Sequence, residues 1–201
     1  MDPRWKHPFT CVISGPIQNG KTHFVTQFLK YLPDMMNPPP DEVIWCYGEW
    51  QPGYDTMGGV MFVEGLPNPK DWRGDKRRLV IVNDLMSETD DLVTKLFTKG
   101  SHHRSLSVMY IVQNLFGKNK EQRIISLNSH YLVNPRDASQ VTHLAKEMYR
   151  GKTKYLQEAF KEATSIPHGC LLIDLQQETP DHLRLRTRVF PDQSQVVYVQ
   201  K

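Results

Sequence analysis

The residues from Gly15 to Thr22 read GPIQNGKT and fill every fixed position of a phosphate-binding pattern. In such a loop the backbone N–H groups surround a polyphosphate, the lysine reaches the β- and γ-phosphates, and the threonine hydroxyl binds Mg²⁺. The sequence therefore predicts a nucleoside triphosphate and Mg²⁺ as ligands. The predicted nucleotide-binding residues are Gly15, Pro16, Ile17, Gln18, Asn19, Gly20, Lys21 and Thr22.

The residues on either side of this loop predict the elements that the pattern needs. Residues 9–14 form a short apolar run rich in β-forming residues, which predicts a buried strand. After the loop, apolar side chains recur at helical spacing from Phe24 to Leu32, and Pro33 ends the run. A strand, a loop and a helix in that order bring the helix N-terminus, with its dipole and free N–H groups, to the bound anion.

Polar residues that follow a second strand are candidates for metal binding and catalysis. Residues 79–82 predict a buried parallel strand, and Asn83 and Asp84 come directly after it. In one interpretation Asn83 bonds a metal-bound water through its amide oxygen and Asp84 activates the attacking water. In another, Asp84 is the Mg²⁺ residue and the base is unassigned. A structural interpretation makes Asp84 the cap of the next helix.

A third strand ends in an amide. Residues 106–112 predict a buried strand, and Gln113 and Asn114 follow it. Because ligands of such sheets bind at the carboxyl ends of the strands, Gln113 is predicted to sense the γ-phosphate and orient water, with Asn114 as the alternative. The structural alternative is a polar residue that satisfies its hydrogen bonds at the strand end.

The basic turn before that strand, residues 99–104, offers a candidate for catalysis in a neighbouring subunit. Arg104 would lie at the opposite end of the strand from its own γ-phosphate site, which suits an arginine supplied in trans. Arg123, Arg136 and Arg150 are the alternatives, and a solvated basic turn is the structural one.

Strands and helices alternate along most of the chain, which predicts an α/β fold with a mostly parallel sheet and helices on both faces. Other strands are expected at 42–47 and 130–133, and strands at 169–175 and 183–189 predict a C-terminal β-hairpin. Helices are expected at 89–99, 121–128, 138–148 and 155–164. A chain of 201 residues suits one domain over 1–201, with a core at about 9–168 and the hairpin at about 169–199.

Two parts of the surface have the composition of contact sites. The segment between Gly48 and Arg78 is rich in glycine and proline and is predicted to be a long loop. It carries Trp50, Tyr54 and Trp72, which predicts either local packing or a subunit or nucleic-acid contact.

Basic residues cluster at 118–123, 150–154 and 184–188. The last cluster alternates with other residues, which predicts three arginines on one face of a strand. This is an ordinary charged face in one subunit, or a lining for DNA phosphates in a ring.

Composition predicts a soluble intracellular protein. Hydrophobic residues make up 39% of the chain and the net charge is +3, too weak to imply nucleic-acid binding by itself. No apolar run approaches the roughly 20 residues of a membrane span, and the N-terminus lacks the apolar stretch of a signal peptide. Cys11, Cys46 and Cys170 are predicted to be reduced core residues.

Together, the loop, the strand ending at Asn83–Asp84, the basic turn and the strand ending at Gln113 resemble the FtsK–HerA superfamily of ATPases. The chain is most similar to the poxvirus-like branch, the short DNA-packaging ATPases of large DNA viruses and of Polinton/Maverick-type mobile elements. Residues 100–114 (GSHHRSLSVMYIVQN) are the most specific part, and the similarity extends from about Phe9 to Val189. This resemblance implies the P-loop NTPase three-layer fold and a homo-oligomeric ring, a pentamer or hexamer, that threads double-stranded DNA into a capsid.

The same resemblance implies roles for individual residues: Lys21 and Thr22 bind nucleotide and Mg²⁺, Asp84 activates water, Gln113 senses the γ-phosphate, and Arg104 acts on the neighbour's ATP. It also implies a capsid or portal partner, no membrane, and a location in the host nucleus or cytoplasm with assembling virions. Asn83 departs from the acidic residue usual in that family, and the strand at 130–133 is shorter than expected. A nucleotide-binding assembly factor with impaired hydrolysis is therefore the alternative, and a small P-loop kinase is a further one.

Overall fold

The computed structural model describes residues 2–68, 72, 75–83, 85, 90–100, 105–114, 120–134, 141–142 and 153–200. In chain order, the strands in these residues are β1 (Trp5–Lys6), β2 (Thr10–Ser14), β3 (Met36–Asn37), β4 (Glu42–Tyr47), β5 (Val60–Glu64), β6 (Arg78–Asn83), β7 (Leu106–Val112), β8 (Tyr131–Asn134), β9 (Leu171–Asp174), β10 (Leu185–Thr187) and β11 (Val196–Tyr198). A large sheet has nine of them in the order β11-β10-β9-β8-β2-β7-β6-β4-β5, and β1 pairs with β3 separately.

The large sheet is parallel over most of its width. The strand β2 pairs in parallel with β7 on one side and β8 on the other, and β6, β4 and β5 continue the parallel arrangement beyond β7. At the other end, β9, β10 and β11 are antiparallel to their neighbours. The predicted mostly parallel sheet and the C-terminal hairpin are therefore confirmed. The strand β2 is the middle strand, with four strands on each side.

Helices cover both faces of this sheet. The helices in the described residues are α1 (Lys21–Lys30), α2 (Leu32–Met35), α3 (Asp90–Lys95), α4 (Lys120–Leu127) and α5 (Thr153–Ala163), and a π-helical turn, Leu96–Gly100, continues α3. In the described part of the chain, no helix has the length and apolar character needed to cross a bilayer.

Alternation along the inner strands builds two cores, because successive side chains of a strand point to opposite faces. Ile13 and Ile81 share one core with Phe24 and Phe28 of α1. Val12, Val80 and Val82 share the other core with side chains of α3, α4 and α5. The result is the predicted three-layer α/β fold, with α1 on one face of the sheet and α3, α4 and α5 on the other.

The strands predicted at 42–47 and 106–112 are confirmed with those bounds. The strand predicted at 9–14 begins one residue later, the one predicted at 79–82 is one residue longer at each end, and the one predicted at 130–133 lies one residue further along the chain. The prediction that 48–78 is a loop was wrong, because β5 lies within it. Because glycines at 58, 59 and 65 flank this strand, its short apolar run was not recognised as a strand in the sequence. The strands β1, β3 and β11 were not predicted. Most of the helix predicted at 138–148 lies outside the described residues.

The cysteines behave as predicted. Cys11, Cys46 and Cys170 are all buried, and none of them forms a disulfide. Burial raises the pKa of the Cys46 and Cys170 thiols to about 12. These side chains are therefore protonated at neutral pH and act as small core residues.

Candidate functional site

The phosphate-binding pattern forms a loop at the carboxyl end of the middle strand. The strand β2 ends at Ser14 and α1 begins at Lys21, so the loop spans the residues between them. The Gly15 N–H donates to the Val112 carbonyl at 3.2 Å, which ties the start of the loop to the end of β7. The loop is therefore anchored to two adjacent parallel strands.

Two residues of the loop have left-handed backbone conformations. Gln18 has φ 64° and Gly20 has φ 87°. Gly20 is the N-cap of α1, and its carbonyl accepts from the Phe24 N–H at 2.9 Å. Gly20 makes no side-chain capping hydrogen bond to this helix. The N-terminus of a helix is a favourable position for an anion. Successive amides in turns of this kind form a concave anion-binding nest.

The three-layer α/β fold sets this loop between the middle parallel strand and a helix, which is the arrangement of a P-loop. Within the loop, the Lys21 ammonium donates to the carbonyls of Gly15 at 2.5 Å and Pro16 at 2.6 Å. The side chain therefore folds back across the loop, where it would meet the β- and γ-phosphates. Thr22 follows in the first turn of α1 and is partly buried, and Ile17 is 71% exposed at the tip of the loop.

Asn83 lies at the end of β6, on the face of the sheet that α1 covers. It is buried, with 5% of its surface exposed, and it pairs in register with Tyr47 of β4 and Ile111 of β7. Its Nδ2 donates to the Tyr54 hydroxyl at 2.8 Å. An amide oxygen is an acceptor, and it is the atom of Asn83 that the predicted bond with a metal-bound water would use. Asp84, the predicted base, lies outside the described residues.

The predicted γ-phosphate sensor is close to the loop in the sheet. Gln113 and Asn114 are exposed directly after β7, the strand between β2 and β6. Val112 faces Ser14 in the ladder, and its carbonyl is the one that holds Gly15. The order of the strands thus places the Gln113 position between the phosphate loop and Asn83, as the predicted role requires.

The structure does not describe the position of Arg104, the arginine predicted to act on a neighbouring subunit. Arg104, Arg136 and Arg150 lie outside the described residues. Arg123 is exposed on α4, the helix that precedes β8. Its contacts in the described part of the chain do not indicate a functional role.

Aromatic residues from the 48–78 segment pack beside Asn83. Tyr54 is buried and stacks on Phe62 of β5, with ring centroids 4.9 Å apart. Trp50 packs edge-on against Tyr47, Tyr54 and Phe62, yet it remains 53% exposed. Local packing therefore explains Tyr54. Its hydrogen bond to Asn83 was missed, because the two residues are 29 positions apart and no motif links them.

The prediction of an arginine row suited to DNA was wrong for Arg186. This side chain is 8% exposed and its Nη2 donates to the buried Asp174 carboxylate at 2.7 Å. Arg184 is bound to the Asp174 and Gln176 carbonyls and to the Asp181 carboxylate. Arg188 is exposed but lies beyond the end of β10. Of the three arginines, only Arg186 lies within β10, and it lines a cleft together with Pro3 and Trp5 of the N-terminal segment.

Comparisons with known proteins add little at the level of sequence. No family model matches the chain, and no curated protein matches it. Among solved structures, it resembles the N-terminal domain of zonular occludens toxin from Neisseria meningitidis, with 12% identity and a TM-score of 0.39 over 64% of this chain and 76% of that one. It also resembles the ATPase DotB of Legionella pneumophila, with 12% identity and a TM-score of 0.41. That match covers 79% of this chain and 53% of DotB.

Proposed function

We propose that this chain is an ATPase that moves double-stranded DNA and packages a viral or virus-like genome into a capsid. The nucleotide part of the proposal is carried by one observation: a left-handed turn leads from the middle strand into an uncapped helix, with Lys21 folded across the turn. The DNA part is supported by the sequence resemblance of residues 100–114 to packaging ATPases.

In this proposal the loop amides hold the phosphates, and Lys21 neutralises charge on the β- and γ-phosphates. The Thr22 hydroxyl and the Asn83 amide oxygen are hard oxygen ligands, which suit Mg²⁺ when phosphate oxygens and waters complete its coordination. Bound Mg²⁺ would neutralise charge that develops on the phosphates. Gln113 orients the attacking water, and Asp84 accepts its proton.

The remaining parts of the proposal concern assembly. The active form is a homo-oligomeric ring, a pentamer or hexamer, in which Arg104 of one subunit reaches the ATP of the next. The partners are duplex DNA and a capsid or portal protein. The ring works inside the host cell, in the nucleus or cytoplasm, on assembling virions. These features are what the family resemblance implies.

The test is ATP hydrolysis measured with and without duplex DNA, together with the mass of the particle in solution. We expect duplex DNA to increase the rate several-fold, and the increase to fall steeply with salt because phosphate contacts release counterions. We also expect oligomers in the presence of ATP and DNA. A protein that stays monomeric, and whose rate of ATP hydrolysis does not change with duplex DNA, would contradict the proposed translocase function.

A second function is favoured by the contact between Asn83 and Tyr54. At this position a carboxylate would place a negative charge near Mg²⁺, whereas Asn83 offers only an amide and donates one of its hydrogens to the Tyr54 hydroxyl. A chain of this kind binds ATP but hydrolyses it slowly. The alternative is therefore a nucleotide-binding assembly factor. Hydrolysis at a rate typical of motor proteins would exclude it.

We expect the substitution Asn83→Asp to increase the rate of ATP hydrolysis by about 10-fold, since it restores a charge that stabilises the metal near the transferring phosphoryl group. The Tyr54 hydroxyl both donates and accepts, so it is able to donate to the new carboxylate and keep it bonded. Steady-state phosphate release at saturating ATP and Mg²⁺ measures the effect.

The matched control is Tyr54→Phe, which removes the hydrogen bond that Asn83 donates to Tyr54 without adding a charge. We expect this control to leave the rate within a few-fold of the unaltered protein. An equal increase in both variants would mean that loss of the hydrogen bond donated by Asn83, and not the added charge, sets the rate.

A further inference from the structure

Two histidines stack on each other beside the phosphate loop. His23 lies in the first turn of α1, and His168 lies in the turn between α5 and β9. Their ring centroids are 4.3 Å apart and the planes are inclined by 27°. Both side chains are exposed, so this histidine pair, His23 and His168, presents flat imidazole surface to solvent next to the loop.

The turn that carries His168 has an unusual backbone. His168 has φ 57°, a left-handed conformation that is uncommon outside glycine. The next residue, Gly169, approaches the preceding helix so closely that an added Cβ would lie 2.3 Å from the Ala163 carbonyl oxygen. Strain of this kind persists only where the surroundings enforce it, and it is concentrated at functional sites.

The same turn rests on the phosphate loop. A Cβ built on Gly20 would lie 3.5 Å from Nδ1 of His168 and 4.0 Å from its Cα. Lys21, which would bind the β- and γ-phosphates, is held at the Gly15 end of the loop. A triphosphate bound in this way would have its α-phosphate and nucleoside toward the other end, where Gly20 and His23 lie.

The flat faces of the two imidazoles suit a nucleobase. Histidine is among the side chains on which bases stack. Two rings that pack on each other also restrict each other's rotation, so a base that stacks on them does not have to order them.

We propose that the stacked imidazoles of His23 and His168 are the surface on which the base of a bound nucleoside triphosphate stacks. This inference rests on the proposed binding of the triphosphate by the loop. It adds a recognition element for the nucleoside that the phosphate pattern itself does not contain.

The test compares two probes, ATP and inorganic tripolyphosphate, each with Mg²⁺, by isothermal titration calorimetry. Tripolyphosphate fills the loop but has no base. The variants are His23→Ala, His168→Asn, which keeps a residue that tolerates the left-handed backbone, and His23→Phe, which keeps a ring. The control is His182→Ala, an exposed histidine in the turn Asp181–Leu183 before β10. Circular dichroism establishes that each variant is folded.

We expect His23→Ala and His168→Asn each to weaken ATP binding by about 10-fold, the effect typical of losing one stacking partner. Tripolyphosphate affinity should be unchanged in both, and His23→Phe and His182→Ala should bind ATP as the unaltered protein does. ATP, and not tripolyphosphate, should also shift the imidazole proton resonances of the two histidines.

The possible failures are distinct. If neither probe binds the unaltered protein, the proposed nucleotide function itself is wrong. If ATP binds the unaltered protein and all the variants equally, nucleotide binding stands and the histidine pair is only a structural contact. If the alanine and asparagine variants lose both probes equally, the imidazoles contact phosphate, which overturns the base-stacking proposal.

Discussion

Replacing Lys21 with alanine is expected to reduce ATP hydrolysis by at least about 100-fold, a loss of about 2.7 kcal/mol of transition-state stabilisation. The ammonium is held over the phosphate loop by the carbonyls of Gly15 and Pro16, at 2.5 and 2.6 Å. A bound triphosphate would offer this ammonium anionic oxygens in place of neutral carbonyls, and hydrogen bonds between two ionised groups are among the strong ones. Alanine offers no donor and no charge at this point.

The measurement is phosphate release at saturating ATP and Mg²⁺, with ATP affinity from calorimetry on the same samples. Lys30→Ala is the matched control, because Lys30 ends the same helix and is exposed, with its ammonium 4.9 Å from the centre of the Tyr31 ring. We expect the control to hydrolyse ATP at the unaltered rate. Hydrolysis that persists in Lys21→Ala would show that the activity does not come from this loop.

Replacing Asp174 with alanine is expected to lower the free energy of unfolding by about 3–5 kcal/mol, the range found when one partner of a buried ion pair is removed. Asp174 accepts from Arg186 at 2.7 Å and from the Gln176 N–H at 3.1 Å. The two side chains of the ion pair are 5% and 8% exposed. Without this carboxylate, the buried Arg186 guanidinium loses the negative charge with which it is paired. Urea unfolding followed by tryptophan fluorescence measures the loss.

Two further variants make this result interpretable. Asp181→Ala removes the carboxylate of the Arg184–Asp181 pair, in which Asp181 is 88% exposed, and we expect little change in stability. Asp174→Leu combined with Arg186→Met removes both buried charges and should recover most of the stability, since apolar side chains of similar volume often replace such pairs well. A small effect of Asp174→Ala would mean that water reaches this pair.

Local sequence patterns were sufficient for the phosphate loop and for the strands around it. The loop, β2 and α1 are contiguous, so their spacing alone specified the geometry from Gly15 to Thr22. The buried strands β4, β6 and β7 were equally clear, because parallel strands covered on both faces are continuous apolar runs. The position of Gln113 beside the loop followed from the predicted sheet.

Contacts between distant segments could not be predicted in the same way. Whether Asn83 meets a metal or an aromatic hydroxyl depends on where Tyr54 packs, and this is determined by a segment whose strand β5 was missed. His168 reaches Gly20 only because a strained turn brings it there. The alternation around Arg186 specified a face of β10, but only the fold determined that the N-terminal segment lies near that face.

The phosphate loop is attached to the middle strand of the large sheet, with four strands on each side of it. Fraying of a sheet starts at its edges, where backbone hydrogen bonds are shared with one neighbour only. An opening that begins at β5 or at β11 has to separate the intervening strands before it frees Ser14. The strand β2, which anchors the phosphate loop, is therefore the last to separate when the sheet opens from its edges.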